Sequence, residues 1–221
     1  MVQTPVSTDT FSDPEVYESW YHTKRGRWIG DTEWRLLMEM LRPRRATSCL
    51  DVGCGSGYFS RRLADANLTV TALDANERML AYARAQSNCR SYVRGDARRL
   101  PFADGSFDYC VAVTSLCFVP DPGQALREMM RVARHKIVLG LLNHRSLLYR
   151  QKSGRGSYVG ARWDRAETIQ RWLSEIDPLA KIEVRTAIFC SDGSVLARAI
   201  EWCVPTRWPW GAFLAISCSR I

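Results

Sequence analysis

Cys49-Leu50-Asp51-Val52-Gly53-Cys54-Gly55-Ser56-Gly57-Tyr58-Phe59-Ser60-Arg61 decides how this chain folds. An apolar run closes on an acid, glycines follow at alternate positions, and Phe59, Leu63 and Ala64 then open a helical spacing. The pattern predicts a buried strand, a tight turn and a helix N-terminus. Glycine belongs where the backbone takes positive φ or must approach a ligand with no side chain between them. The free N–H groups of the first helical turn favour a carboxylate or phosphate beside them. A dinucleotide fingerprint reads G-x-G-x-x-G, whereas this loop reads Gly53-x-Gly55-x-Gly57 with Asp51 just ahead of it. Taken alone, the loop is also readable as an ordinary strand-to-helix turn.

Outward from this loop the chain alternates strand and helix. The first strand is Ser48–Val52, and its helix runs to about Asn67. Thr69–Leu73 is a second strand ending in Asp74, where a carboxylate at the strand's end can accept from both ribose hydroxyls of a nucleoside. A helix over Glu77–Ser87 and a short strand Ser91–Val93 lead to Arg94-Gly95-Asp96-Ala97. Leu100-Pro101-Phe102 and a turn at Asp104-Gly105 precede strand four, Tyr109–Val113. A helix opening at Pro122 and strand five, Lys136–Leu142, follow. After residues 144–162, which carry Gly/Ser pairs and basic residues, an amphipathic helix spans about Asp164–Ile176. Lys181–Cys190 and Gly211–Cys218 read as a closing antiparallel pair with no long helix between them. Upstream, residues 1–12 read as a frayed tail, and two helices carry Val16, Tyr17, Trp20, Tyr21 and then Trp34, Leu37, Met38, Leu41. Lys24–Gly30, with its two glycines, reads as the loop between them. Successive α/β units require right-handed crossovers and a mostly parallel sheet. The expectation is an α/β, Rossmann-like fold: a seven-stranded, mostly parallel sheet, helices on both faces and an antiparallel closing strand. It is read as one domain over 1–221, with residues 13–47 as a helical flap and 144–163 as a lid.

The 221 residues are 46% hydrophobic and 24% charged, ordinary for a globular chain. No apolar run reaches the roughly 18–20 residues of a membrane span. The first residues carry neither a basic n-region nor an apolar h-region, so a cytoplasmic protein is expected. Eight cysteines form no C-x-x-C pair, and three histidines are too few for the usual zinc sets. Reduced core cysteines and no metal are expected. A net charge of +8 invites a nucleic-acid reading. Arginine is nevertheless scattered, and Arg127, Arg131 and Arg134 recur at helical spacing as a solvated face. His144, Arg145, Arg150, Lys152 and Arg155 form the denser group.

Asp51–Gly57, Asp74, Gly95-Asp96-Ala97 and Leu100-Pro101-Phe102…Ser106-Phe107-Asp108 each fall at the end of a strand or just before one. With Tyr17-x-x-Trp20-Tyr21 and Asp121-Pro122…Ala125-Leu126-x-Glu128-Met129, they resemble the small-molecule branch of the class I S-adenosylmethionine (SAM)-dependent methyltransferases. That branch includes the ubiquinone and menaquinone C-methyltransferases (methyltransferase type 11 domain). The resemblance covers about residues 13–143, and beyond Asn143 it is topological. It implies SAM as cofactor, S-adenosylhomocysteine as product and methyl transfer to a small molecule. It implies that Gly53, Gly55 and Gly57 lie along the methionyl and ribose parts. Asp51 would help hold the methionyl amine, Asp74 the ribose with Ala75 beside it, and Asp96 and Ala97 the adenine edge. Met79 would pack on the adenine face, Thr114 near the sulfonium, and Tyr17 against the methionyl carboxylate.

Methyl transfer from a sulfonium is an in-line displacement that needs alignment and exclusion of water more than a catalytic group. A base is required only where the acceptor is a weak acid. His22 and His144 are the candidate bases by type and place. Tyr21, Leu116, Phe118, Asn143, Tyr158 and Trp163 are the candidate acceptor contacts. The basic 144–155 stretch suits an anionic acceptor, or RNA in an alternative reading. Against RNA, strand four ends in Thr114-Ser115-Leu116-Cys117 and not in the Asn/Asp-Pro-Pro-aromatic signature of nucleic-acid amino methylation. A SAM-binding scaffold without turnover is the other alternative.

Overall fold

The structure is a computed structural model that describes residues 13–86 and 89–220. The tail expected at 1–12 and the final residue of the helix expected to end at Ser87 lie outside the described residues. Seven strands form one sheet: β1 Ser48–Val52, β2 Thr69–Asp74, β3 Ser91–Arg94, β4 Phe107–Val113, β5 Ala133–Leu142, β6 Lys181–Ala187 and β7 Phe213–Ser219. Their order is β3-β2-β1-β4-β5-β7-β6. Strands β1 to β5 pair in parallel, and β7 runs antiparallel to both β5 and β6.

Alternation along these strands explains their uninterrupted apolar sequence. Leu50, Val52, Cys110, Ala112, Ile137 and Leu139 belong to the core on one face of the sheet. Cys49, Val111, Val138 and Ala215 belong to the core on the other. A sheet covered on both faces needs apolar side chains at every position. The first face is covered by α5 Pro122–Val132 and α7 Ala166–Ile176. The second is covered by α2 Lys24–Leu41 and α3 Tyr58–Asp65. Helices α1 Pro14–His22, α4 Glu77–Ala85, α6 Leu147–Lys152 and α8 Val195–Cys203 complete the set.

Two expectations are corrected here. Residues 24–30 are helix and not loop: Thr23 ends α1, and its hydroxyl accepts from Gly26 N at 2.9 Å to start α2. Its two glycines serve close packing. A Cβ on Gly26 would meet the Trp20 carbonyl oxygen at 1.9 Å, and one on Gly30 would meet Tyr58 Oη at 2.7 Å. The second correction is α8, which lies between the last two strands where no helix was expected. The far end of α2 is tied down by Lys136, whose Nζ donates to the helix-end carbonyls of Met40 and Leu41 at 2.9 and 3.1 Å. This anchors α2 at the amino ends of the strands and leaves its first turns above their carboxyl ends. None of the eight cysteines is in a disulfide, and Cys49, Cys110, Cys117 and Cys218 are buried. Among the described residues no helix is long and apolar enough to cross a membrane.

Candidate active site

Beyond β1 the chain turns through Gly53, Gly55 and Gly57, all at positive φ. At Gly53 a Cβ would meet Ser115 Cβ at 2.3 Å, because the loop is pressed against the end of β4. At Gly55 the only heavy atom of the described residues within reach would be Tyr17 Cε1 at 3.9 Å, so the missing side chain leaves space open. The Gly53 and Cys54 amides donate to the Leu73 carbonyl at 2.7 and 3.0 Å, joining the loop to β2. Gly55 N donates to Asp74 Oδ2 and Asn76 N to Asp74 Oδ1, each at 2.8 Å. Two amides thus fix the Asp74 carboxylate, and each oxygen keeps a further lone pair for a ligand hydroxyl.

These residues line a cavity of about 410 Å³ above β1, β2 and β4. Of the expected cofactor contacts, Tyr17, Asp51, Gly53, Gly55, Asp74, Ala75, Met79, Asp96, Ala97 and Thr114 all line it. Gly57 does not; it caps α3 from the left-handed region, with Ala83 and Arg61 against the place of its Cβ. Asp51 is 1% exposed and accepts from Ser60 Oγ at 2.5 Å. Burial and then the nearby Asp74 charge push its carboxyl up to about 6, against the Ser60 hydrogen bond. Asp96 is exposed and gripped by Arg98, whose Nη2 donates to Oδ2 at 2.6 Å, and this pairing lowers its pKa.

A second cavity, of about 390 Å³, lies beside the first and shares Tyr17, Tyr21, Thr114 and Phe118 with it. Thr114 follows β4 at φ +50, a costly conformation for a β-branched residue, held by its N–H donating to Gly140 O at 2.7 Å. It hydrogen-bonds the buried Tyr17 phenol, whose pKa burial pushes up to about 12. Tyr17 and Tyr21 share a hydrogen bond at 3.3 Å, and Tyr21 stacks on Tyr58 with centroids 3.7 Å apart. Helix α1 carries this pair and is fastened to the glycine loop through Glu18, which accepts from Ser56 Oγ and Arg61 Nη2. Lys152, Arg155 and Tyr158 enter from the 147–158 segment, and Ile188, Ser191, Ala212 and Phe213 form the far wall. That wall is braced by buried Glu201 of α8, which accepts from the amides of Ile188 and Phe189 at 2.8 and 3.1 Å.

Several expected acceptor-side residues stand elsewhere. His22 is exposed at the end of α1 and lines neither cavity. His144 also lines neither and stacks on Tyr149 with centroids 4.1 Å apart. Asn143 is consumed in structure: its Nδ2 donates to Pro209 O and Gly211 O, both at 2.7 Å. Trp163 packs behind Tyr158 and Tyr149. Leu116 lines only the first cavity; Tyr21 and Phe118 line both, and Tyr158 the second.

Sequence reasoning missed Glu33, which is 8% exposed and lines the second cavity. Its carboxyl is pushed up to about 8 by burial alone. The available signal was its place on the apolar side of α2, beside Leu36, Leu37 and Met40.

Residues 50–139 match the family model described as a methyltransferase domain. The chain is 43% identical over 98 residues to a malonyl-[acyl-carrier protein] O-methyltransferase of Erwinia pyrifoliae, covering 44% of this chain and 37% of that protein. It is 40% identical over 97 residues to a demethylmenaquinone methyltransferase of Renibacterium salmoninarum, covering 43% and 41%. The chain thus spans about two fifths of the length of these curated relatives. Among solved structures, a SAM-dependent methyltransferase of Thermotoga maritima, described as a possible histamine N-methyltransferase, superposes with a TM-score of 0.76 at 23% identity. That superposition covers 96% of this chain and 98% of the other. The fold is that of the class I methyltransferases. The matched segment, residues 50–139, is similar to a methyltransferase domain, and the cofactor such a domain implies is SAM. The first cavity fits such a group: a glycine loop with open space at Gly55 and a backbone-held carboxylate with free lone pairs stand on one rim.

Proposed function

We propose that this chain transfers a methyl group from SAM in the first cavity to a small-molecule acceptor in the second. The supporting observation is that the two cavities meet at Tyr17, Tyr21, Thr114 and Phe118. When bound, the cofactor supplies an electrophilic methyl on a sulfonium. Asp74 accepts from the ribose hydroxyls, Asp51 faces the methionyl amine, and Ala97 and Met79 bound the adenine. Thr114 and Tyr17 stand at the junction, where nucleophile, methyl and sulfur must align. The aromatic wall of α1 excludes water from that line. Arg25, Lys152 and Arg155 line the second cavity and form no salt bridge among the described residues, Arg25 having the exposed Asp192 nearby, which favours an acceptor bearing an acidic group. The glycine loop, strands β2 to β4 and most of β1 and β5 lie within the matched segment, and the curated relatives are named for malonyl-[acyl-carrier protein] and demethylmenaquinone.

The RNA alternative finds little support in the basic stretch. Arg145 pairs with Glu167 at 3.0 Å, His144 stacks on Tyr149, and Lys152 and Arg155 line the cavity, so the residues do not form one open face. Two measurements test the proposal: calorimetric titration with S-adenosylhomocysteine, and labelled methyl transfer from SAM to panels of amines, thiols, phenols and quinols. Binding with turnover on one panel is expected. Binding with no turnover anywhere leaves a scaffold, and absence of binding removes the reading altogether.

A further inference from the structure

Glu33 is a buried acid without a partner: no hydrogen bond or ion pair from the described residues reaches its carboxyl. Buried carboxyls are ordinarily paired or hydrogen-bonded. Phenols surround this one. Tyr17 and Tyr21 of α1, Tyr58 of α3 and Tyr158 of the 147–158 segment each feel its negative charge, which helps to raise their pKa values. The other charged groups of the cavity are Arg25, Lys152 and Arg155. Arg25 precedes Glu33 by two helical turns, about 12 Å along the axis, and its Nε donates to Ser191 O at 2.5 Å. Lys152 and Arg155 are exposed. The cations therefore stand toward the mouth, and the acid lies deep, among the tyrosines that border the first cavity.

We propose that the acceptor nucleophile is an amine, bound as its ammonium beside Glu33 among Tyr17, Tyr21 and Tyr158, with Glu33 accepting the proton that frees the nitrogen lone pair. An ammonium gives the lone carboxylate an opposite charge and several donors, and aromatic rings add cation–π attraction. A carboxylate or phosphate nucleophile would instead hold Glu33 in its protonated form, and an alcohol brings no cation to draw that proton off, so neither could use it as a base. Burial also raises the basicity of Glu33 toward neutrality, where proton transfer is most effective.

The step balances as follows. The proton passes from nitrogen to the Glu33 carboxylate. The lone pair then forms the N–C bond while the C–S bond breaks and its electron pair stays on sulfur. A methylammonium and a neutral thioether result, and Glu33 returns its proton to solvent when product leaves. The acidic group favoured by the cationic mouth makes an amine with a remote carboxylate the fitting acceptor class.

This inference rests on the methyl-transfer reading, and the test separates the two. The full chain, Glu33→Gln and Glu33→Asp are titrated with S-adenosylhomocysteine and assayed with SAM. The acceptors are straight-chain ω-amino acids, the matching ω-hydroxy acids and simple alkylamines. Expected are S-adenosylhomocysteine affinities within about twofold of one another, because Glu33 lines only the second cavity. Amines are methylated in preference to hydroxy acids, and E33Q lowers kcat/KM for amines by about 100-fold or more, with partial recovery in E33D. The acid limb of the kcat/KM profile is lost in E33Q. The inference is overturned by E33Q turning over amines like the parent, by preference for hydroxy acids, or by no transfer to any amine while S-adenosylhomocysteine binds. Failure of the parent to bind S-adenosylhomocysteine defeats the underlying methyl-transfer reading instead.

Discussion

A carboxyl enclosed by aromatic carbon keeps its proton until a cation joins it, and Glu33 is such a group, with its pKa raised from 4.5 to about 8 by burial. The unfolded chain releases this proton first, so the folded state loses stability as pH rises from about 4.5 to about 8 and levels off above. Glu33→Gln removes the ionisable group and keeps its volume. Its chemical-denaturation midpoint should overtake that of the parent progressively across that window; curves that stay parallel would deny the burial cost. Asp74 is the opposite kind of acid, held by two backbone amides with its remaining lone pairs free. Asp74→Ala should weaken S-adenosylhomocysteine binding by about 1–3 kcal/mol, the worth of charge-assisted hydrogen bonds. Calorimetry reads this directly, and unchanged affinity would remove Asp74 from the ribose.

At the scale of elements, α1 matters because it carries two of the four residues common to both cavities and is fastened to the glycine loop by one buried carboxylate. Glu18 accepts from Ser56 on the glycine loop and from Arg61 on α3. Glu18→Ala leaves Arg61 without its carboxylate and frees α1 from the loop. Stability should fall by roughly 1–3 kcal/mol, and amide hydrogen exchange over residues 14–22 should quicken while the strands stay protected. Equal exchange in the two proteins would show that α1 is held by apolar packing alone. Sequence patterns revealed α1 but not this fastening, because an acid among aromatics reads as the polar side of a helix. The same blindness made Gly26 and Gly30 look like a loop. Glycine marks both turns and close approaches, and only the packed Trp20 and Tyr58 tell which.

For the whole molecule, legibility followed the locality of the constraint. The glycine loop, Asp74 and Asp96-Ala97 are fixed by short stretches at strand ends, and the cavity they line was readable from their order along the chain. The second cavity draws on α1, α2, the 147–158 segment and the turns at 188 and 212, which meet only in the folded state. That is why Glu33, Arg25 and Ile188 were missed and why His22, His144 and Asn143 were misplaced: nearness in sequence to the reacting edge is not nearness in space. The surplus of positive charge, +8 over the chain, also gains meaning only there. Lys152 and Arg155 are exposed at the cavity mouth, where, on the proposed reading, screened attraction would draw an acidic acceptor without touching the reacting atoms. Replacing both with alanine should raise KM for an acidic acceptor about tenfold, from about 0.2–1 kcal/mol per exposed pair. Neither kcat nor S-adenosylhomocysteine affinity should change, because neither residue reaches the first cavity. In the parent, kcat/KM for the same acceptor should fall as salt rises, and the double variant should lose most of that dependence. A salt response equal in the two proteins would place the attracting charge elsewhere on the surface.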